Sequence, residues 1–212
     1  MARSPIQLAV LISGSGTTLQ NLVDHIGDGS LSARVATVIA SRPGIGGIDR
    51  AKGAGLACEI VDRKKFDSLA DFSRQVFDIC RKSEAELICL AGWLSLLEIP
   101  RDFQGKTINT HPALLPSFGG KGMYGRRVHQ AVLDHGCKIS GCTIHFVDHD
   151  YDSGPIILQR TCPVLDTDDA HALAERVFHE EKIAYPEAIS LYQAGRLKIE
   201  GRRVRIAHDG TS

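Results

Sequence analysis

The sequence has no net charge, with 25 lysines and arginines against 25 aspartates and glutamates among 212 residues. It therefore lacks the electrostatic footprint of a nucleic-acid binder. Its one basic stretch, Gly201-Arg202-Arg203-Val204-Arg205, reads as the solvated edge of a hairpin. No run is long and apolar enough to span a bilayer. Met1-Ala2-Arg3-Ser4-Pro5 leads straight into a strand-like segment with no secretory cleavage pattern. The six cysteines, at 58, 80, 89, 137, 142 and 162, form no C-x-x-C and no spacing suited to zinc. A chain of this size needs no disulfide staples, so these read as core thiols and the expected compartment is the cytoplasm. Internal repeats, low-complexity tracts and linkers are also missing. One domain over residues 1–212 is expected, with an N-terminal half at about 6–105 and a C-terminal half at about 106–200.

Ile6–Ile12 (IQLAVLI) is nearly all apolar, as in a strand buried on both faces. Ser13-Gly14-Ser15-Gly16-Thr17-Thr18 follows, and Leu19, Leu22, Val23 and Ile26 then recur at helical spacing. A Gly-rich turn opening a helix offers free backbone N–H groups to an anion. The third glycine of a dinucleotide fingerprint is absent, so one phosphate fits better than a pyrophosphate, and a tight turn without ligand is the plain alternative. Further strands are expected at 35–40, 57–61, 87–91 and 106–109, with a short helix near 47–54 and an amphipathic helix over 66–82. This alternation implies right-handed βαβ units: a doubly wound, mostly parallel, Rossmann-like α/β sheet with helices on both faces. The Gly-rich stretch 116–125 reads as a mobile loop or lid, followed by a helix over 126–135. Strands at 140–147 and 154–162, a helix over 168–193 and a hairpin over 197–206 complete an antiparallel C-terminal portion. In that long helix Glu180, Glu181 and Lys182 read as a solvated face.

Thr107-Ile-Asn-Thr-His-Pro-Ala-Leu-Leu-Pro-Ser117 carries the clearest chemistry. Asn109 and His111, two apart on an extended segment, point to one side. Both can donate to one oxygen, and the imidazole can carry a proton near neutral pH. That suits an oxyanion in acyl transfer. The acidic stretch Asp148-His149-Asp150-Tyr151-Asp152 admits three readings. It could hold a metal, with His145 as a further ligand, but the glycine and closing glutamate of a calcium loop are missing. It could be a solvated hairpin loop. Or one aspartate could support His111, fixing its orientation and raising its pKa. Gly92-Trp93-Leu94-Ser95-Leu96-Leu97, past the fourth strand, is either the wall of an aromatic ligand's pocket or a packed short helix.

Four blocks together resemble the glycinamide ribonucleotide formyltransferases, folate-dependent enzymes of purine biosynthesis and one-carbon metabolism. They are LISGSGTTLQNL, LAGWLSLL, INTHPALLPSF, and GCTIHFVDHDYDSGPIILQ with RVFHEEKIAYP, in family order between about Leu8 and Lys198. The resemblance implies a catalytic triad of Asn109, His111 and Asp152. It implies a phosphate turn at Gly16, Thr17 and Thr18, and substrate contact by Glu181. It places the folate pocket at Leu94, Ser95, Leu96 and Leu97, at Asn109, and at Asp148, His149, Asp150, Tyr151 and Asp152. The N-terminal half would bind phosphate, and the C-terminal half would carry catalysis and folate. The co-substrate would be 10-formyltetrahydrofolate, with no metal. Thr17-Thr18 replaces the family's usual Ser-Asn, and a basic residue the family often has aligns with Leu69. Arg63, Lys64 or Lys65 could substitute for it.

The reaction implied is formyl transfer to the amine of 5'-phosphoribosylglycinamide. Asn109 and a charged His111 would stabilise the oxyanion, and Asp152 would keep His111 charged. A formyltetrahydrofolate hydrolase or a silent nucleotide-binding module are the alternatives. The hydrolases carry an N-terminal regulatory domain, for which there is no room before Ile6. Partners are expected to be small molecules only, with neither nucleic acid nor membrane. The sequence does not encode a legible oligomeric state.

Overall fold

The computed structural model describes residues 4–207, so the N-terminal reading at residues 1–3 lies outside it. The chain divides after Ile108 into two compact units. In chain order the first contains β1 (Ile6–Ile12), α1 (Thr17–Gly27), β2 (Ala33–Ala40), α2 (Gly46–Gly53), β3 (Cys58–Ile60), α3 (Leu69–Lys82) and β4 (Leu87–Leu90). β5 (Thr107–His111) runs across the division. The second unit adds α4 (Arg126–Asp134), β6 (Ile139–Phe146), β7 (Ile156–Pro163), α5 (Ala170–Gln193), β8 (Leu197–Glu200) and β9 (Arg203–Ile206).

The first unit is a parallel sheet in the order β3-β2-β1-β4. Leu8 pairs with Val35 and Val10 with Cys89. Leu8 to Ile12 are fully buried, as a strand covered on both faces requires. α1 adds Leu19 and Leu22 to this core, and α3 adds Phe72, Val76 and Phe77. The Phe72 ring stacks on Trp93 at 5.9 Å.

Two local expectations change. α3 begins at Leu69, not Phe66, because Ser68 caps it by accepting the Asp71 N–H at 3.0 Å. Phe66 lies outside the helix and packs edge-on against Phe72. The 92–97 segment is not a helix but an irregular stretch, tied to the end of β1 where the Leu94 N–H donates to Ser13 Oγ at 3.0 Å.

The second unit is mixed. β6 and β7 are antiparallel, with Thr143 opposite Gln159. β8 and β9 form the expected hairpin, turning at Gly201. α5 is buried through Leu173, Val177, Ala184, Tyr185 and Ile189 and continues through Pro186. Asp169 caps α5, accepting from the His171 and Ala172 N–H groups, while Asp168 pairs with Arg176. Asp169→Ala removes this N-cap and should lower the midpoint in chemical denaturation.

Among the described residues no helix is long and apolar enough to cross a membrane.

Candidate active site

In the second unit the end of β5 and the loop after β6 bring the three expected residues together. Asn109 and His111 project from the same side of β5. Asp152 lies in the 147–155 connection between β6 and β7, with φ 54. His111 Nδ1 is 3.4 Å from Asp152 Oδ2, and Asn109 Nδ2 donates to Asp152 Oδ1 at 3.4 Å. Of the three readings of the acidic stretch, the geometry carries the carboxylate beside the imidazole. Among the described residues no group of three or more His, Cys, Asp or Glu is placed to hold a metal.

The cluster is held from several directions. Thr143 on β6 donates to Ala113 O at 2.6 Å and accepts from the Leu115 N–H at 3.0 Å. Gln159 on β7 donates to Leu115 O and to Thr143 Oγ1. The turn that follows His111 is therefore pinned by the facing hairpin. The Gly-rich loop also reaches back: His111 Nε2–H donates to Phe118 O at 2.8 Å, and the Gly120 N–H donates to Asp152 Oδ2 at 2.9 Å. A Cβ at Gly119 would lie 2.5 Å from Leu115 Cδ2, a side-chain end that would have to shift, and 3.3 Å from Asp152 Cβ.

The charge state differs from expectation. Burial pulls the His111 imidazole below its usual pKa and outweighs the opposite pull of Asp152 and of the bond to Phe118 O. Burial alone would raise the Asp152 carboxyl, but His145, His111 and the Gly120 N–H outweigh it and hold the group below its usual range. The resting pair is thus a carboxylate beside a neutral imidazole. With Nε2–H held by a carbonyl, Nδ1 is the free basic nitrogen and faces Asp152.

His129 on α4 is buried, and its Nδ1 has no hydrogen-bond partner. Burial, with a smaller push from His111, lowers it from 6.5 to about 4. The folded state therefore binds this proton less readily than the unfolded state. Its contribution is complete above about pH 6.5 and is lost as pH falls towards about 4, a total of about 3 kcal/mol. Denaturation midpoints measured between pH 7 and 4.5 should fall less steeply for His129→Leu than for the parent.

The remaining candidates fall into place by unit. In the first, Gly16 has φ 76 and opens α1 at Thr17 with no side-chain cap, and Thr18 is buried. A Cβ at Gly16 would meet Gly47 Cα at 2.6 Å, so glycine is required. Arg50 Nε donates to Ser15 O at 2.9 Å and puts a cation beside this turn. Leu94 is 44% exposed whereas Leu97 is buried, and Ser95 and Leu96 are intermediate. Arg63 donates to Phe66 O and lies over the Phe72 ring, while Lys64 and Lys65 are exposed.

In the second unit His149, Asp150 and Tyr151 are exposed and Asp148 is half-buried. Glu181 is not on a solvated face: it is buried on α5. Burial, with Glu181 adding to it, pushes the neighbouring Cys142 thiol up to about 12, so this cysteine is no nucleophile. The sequence reading missed His145 as anything but a possible metal ligand. Its placement with Thr143 at a two-residue period on β6 was the available signal.

Residues 6–189 match the model of the family described as formyl transferase. The chain belongs to that family. A phosphoribosylglycinamide formyltransferase, chloroplastic, from Arabidopsis thaliana is 36% identical over 91% of this chain and 67% of its own length. The trifunctional purine biosynthetic protein adenosine-3 of Bos taurus is 36% identical over 91% of this chain, which spans only 19% of that protein. The solved glycinamide ribonucleotide transformylase 1 from Symbiobacterium toebii superposes with a TM-score of 0.90 at 41% identity, over 96% of this chain and 95% of that one. The family's mostly parallel mixed sheet with flanking helices is the α/β fold expected from the sequence.

Proposed function

We propose that this chain transfers the formyl group of 10-formyltetrahydrofolate to the amine of 5'-phosphoribosylglycinamide. The observation that carries the reading is the buried cluster of Asn109, His111 and Asp152 in a member of this family. The names of its relatives support the substrate. The turn at Gly16, Thr17 and Thr18, at the N-terminus of α1, takes the phosphate. Glu181 contacts the glycinamide–ribose part. The folate contacts are assigned, on the family resemblance, to Leu94, Ser95, Leu96 and Leu97 in the first unit and to Asp148, His149, Asp150 and Tyr151 in the second; Leu94 and Tyr151 each expose apolar surface. The free thiols among the described residues fit a reducing compartment, which supports a cytoplasmic location.

The formyl donor supplies an electrophilic carbonyl carbon. As the amine nitrogen's lone pair bonds to that carbon, the carbonyl π pair moves to the oxygen, which becomes an oxyanion, and the nitrogen becomes positively charged and must lose one of its protons. Asn109 donates to the oxyanion. The proton passes to the Asp152–His111 pair, whose free Nδ1 is the receiving atom. The imidazolium so formed stabilises the oxyanion electrostatically. The proton then goes to the nitrogen that departs from the formyl carbon, so the pair returns to its starting state. Neutral His111 at rest fits this role better than a permanent imidazolium, which could not accept. No covalent intermediate is required, because the amine is itself the nucleophile.

Incubation with a carbon-13 formyl donor and the ribonucleotide tests the reading. Mass spectrometry should find the label on the ribonucleotide's amine. Label recovered only as free formate would assign a hydrolase instead.

A further inference from the structure

The site contains a buried imidazole to which the reaction above gives no task. His145 Nδ1 lies 2.8 Å from Phe146 O. A carbonyl oxygen only accepts, so Nδ1 carries a hydrogen, and in the Nδ1–H tautomer Nε2 presents a lone pair, 3.8 Å from Asp152 Oδ1. That lone pair lies 3.1 Å from Asn109 Nδ2. The next group around the Asn109 amide is Asp152 Oδ1 at 3.4 Å, a second acceptor. Were the Asn109 amide turned over, its carbonyl oxygen would face two acceptors and no donor.

We infer that His145 is a positioning residue: its Nδ1–H tautomer, locked by Phe146 O, fixes the Asn109 side chain with its NH2 group directed into the site. This rests on the reading of Asn109 as an oxyanion donor. One amide hydrogen is held by Nε2 at 3.1 Å, and the other makes only the long 3.4 Å bond to Asp152. The second hydrogen is the one that can turn to a developing oxyanion. Without His145 the amide is free to rotate its oxygen towards the formyl carbonyl, replacing attraction with repulsion. Burial of the ring keeps water from supplying a substitute acceptor.

His145→Leu removes the acceptor, and His145→Gln restores one with a donor on the same amide. His145→Leu should lower kcat by about 10–100-fold, below the 10²–10³ ceiling set by losing the donor itself, with KM for the formyl donor little changed. His145→Gln should recover at least a tenfold share of that loss. In an Asn109→Ala background His145→Leu should cost nothing further, since the residue acts through the amide. An equal fold-loss in both backgrounds would overturn the inference, as would a Gln variant no better than Leu. Nitrogen-15 NMR of the unaltered protein provides a readout independent of folding defects in the variants. It should show His145 protonated at Nδ1 and bare at Nε2; the opposite tautomer would overturn the proposal. If Asn109→Ala itself keeps full activity, the oxyanion reading beneath it falls, a result distinct from loss in Asn109→Ala without loss in His145→Leu.

Discussion

Asp152→Asn should lower kcat by about 10²–10⁴-fold, the usual range for removing a positioned proton acceptor. KM for both substrates should stay within a few-fold of the parent. Asparagine is the informative replacement because residue 152 has φ 54, a left-handed conformation that asparagine adopts more readily than alanine. Its amide oxygen can still accept from the Gly120 N–H, so the loop contact at 2.9 Å survives. What disappears is the charge beside His111. Burial already holds that imidazole neutral against the pull of Asp152, and without the carboxylate nothing draws a proton to Nδ1. Steady-state kinetics decide the matter: a variant keeping more than a tenth of the parent's kcat would remove Asp152 from the proton path.

Gly154→Ala should be strongly destabilising. A Cβ there would lie 1.9 Å from Phe146 O, 2.8 Å from Phe146 C and 3.4 Å from Asp148 N. All three are backbone atoms, so no side chain can swing aside. β6 and β7 would have to part where they flank the loop that carries Asp152. The expected destabilisation is about 3 kcal/mol, with activity falling as well. Gly53→Ala is the control, since that position ends α2, has open space around it and lacks a positive φ. It should leave stability unchanged or raise it by up to about 1 kcal/mol. Similar chemical-denaturation midpoints for the two variants would contradict the close-approach argument.

Much of this was legible in the sequence because its signals are short-range. The apolar run of β1, the Gly-rich turn after it and the two-residue spacing of Asn109 and His111 each fix a local conformation without reference to the rest of the chain. The partner of His111 was not legible in that way. Asp148, Asp150 and Asp152 are equivalent as residue types, and only closure of the β6–β7 connection selects Asp152. Glu181 reads as solvated by composition but is buried by the way α5 packs. The charge of His111 depends on burial, which local sequence does not carry. Phe118 O and Gly120 N are backbone groups with no side-chain signature. Phe66 shows the opposite failure: its helical spacing is real, but the Ser68 cap overrides it.

The measurement that bears most directly on the central claim is formyl release from a 10-formylfolate analogue, followed by absorbance with and without 5'-phosphoribosylglycinamide. Release that requires the ribonucleotide, at a rate that falls on its removal to the background without protein, is the predicted result. Equal release in its absence would make water the acceptor and would contradict both the transferase reading and the role given to Gly16, Thr17 and Thr18.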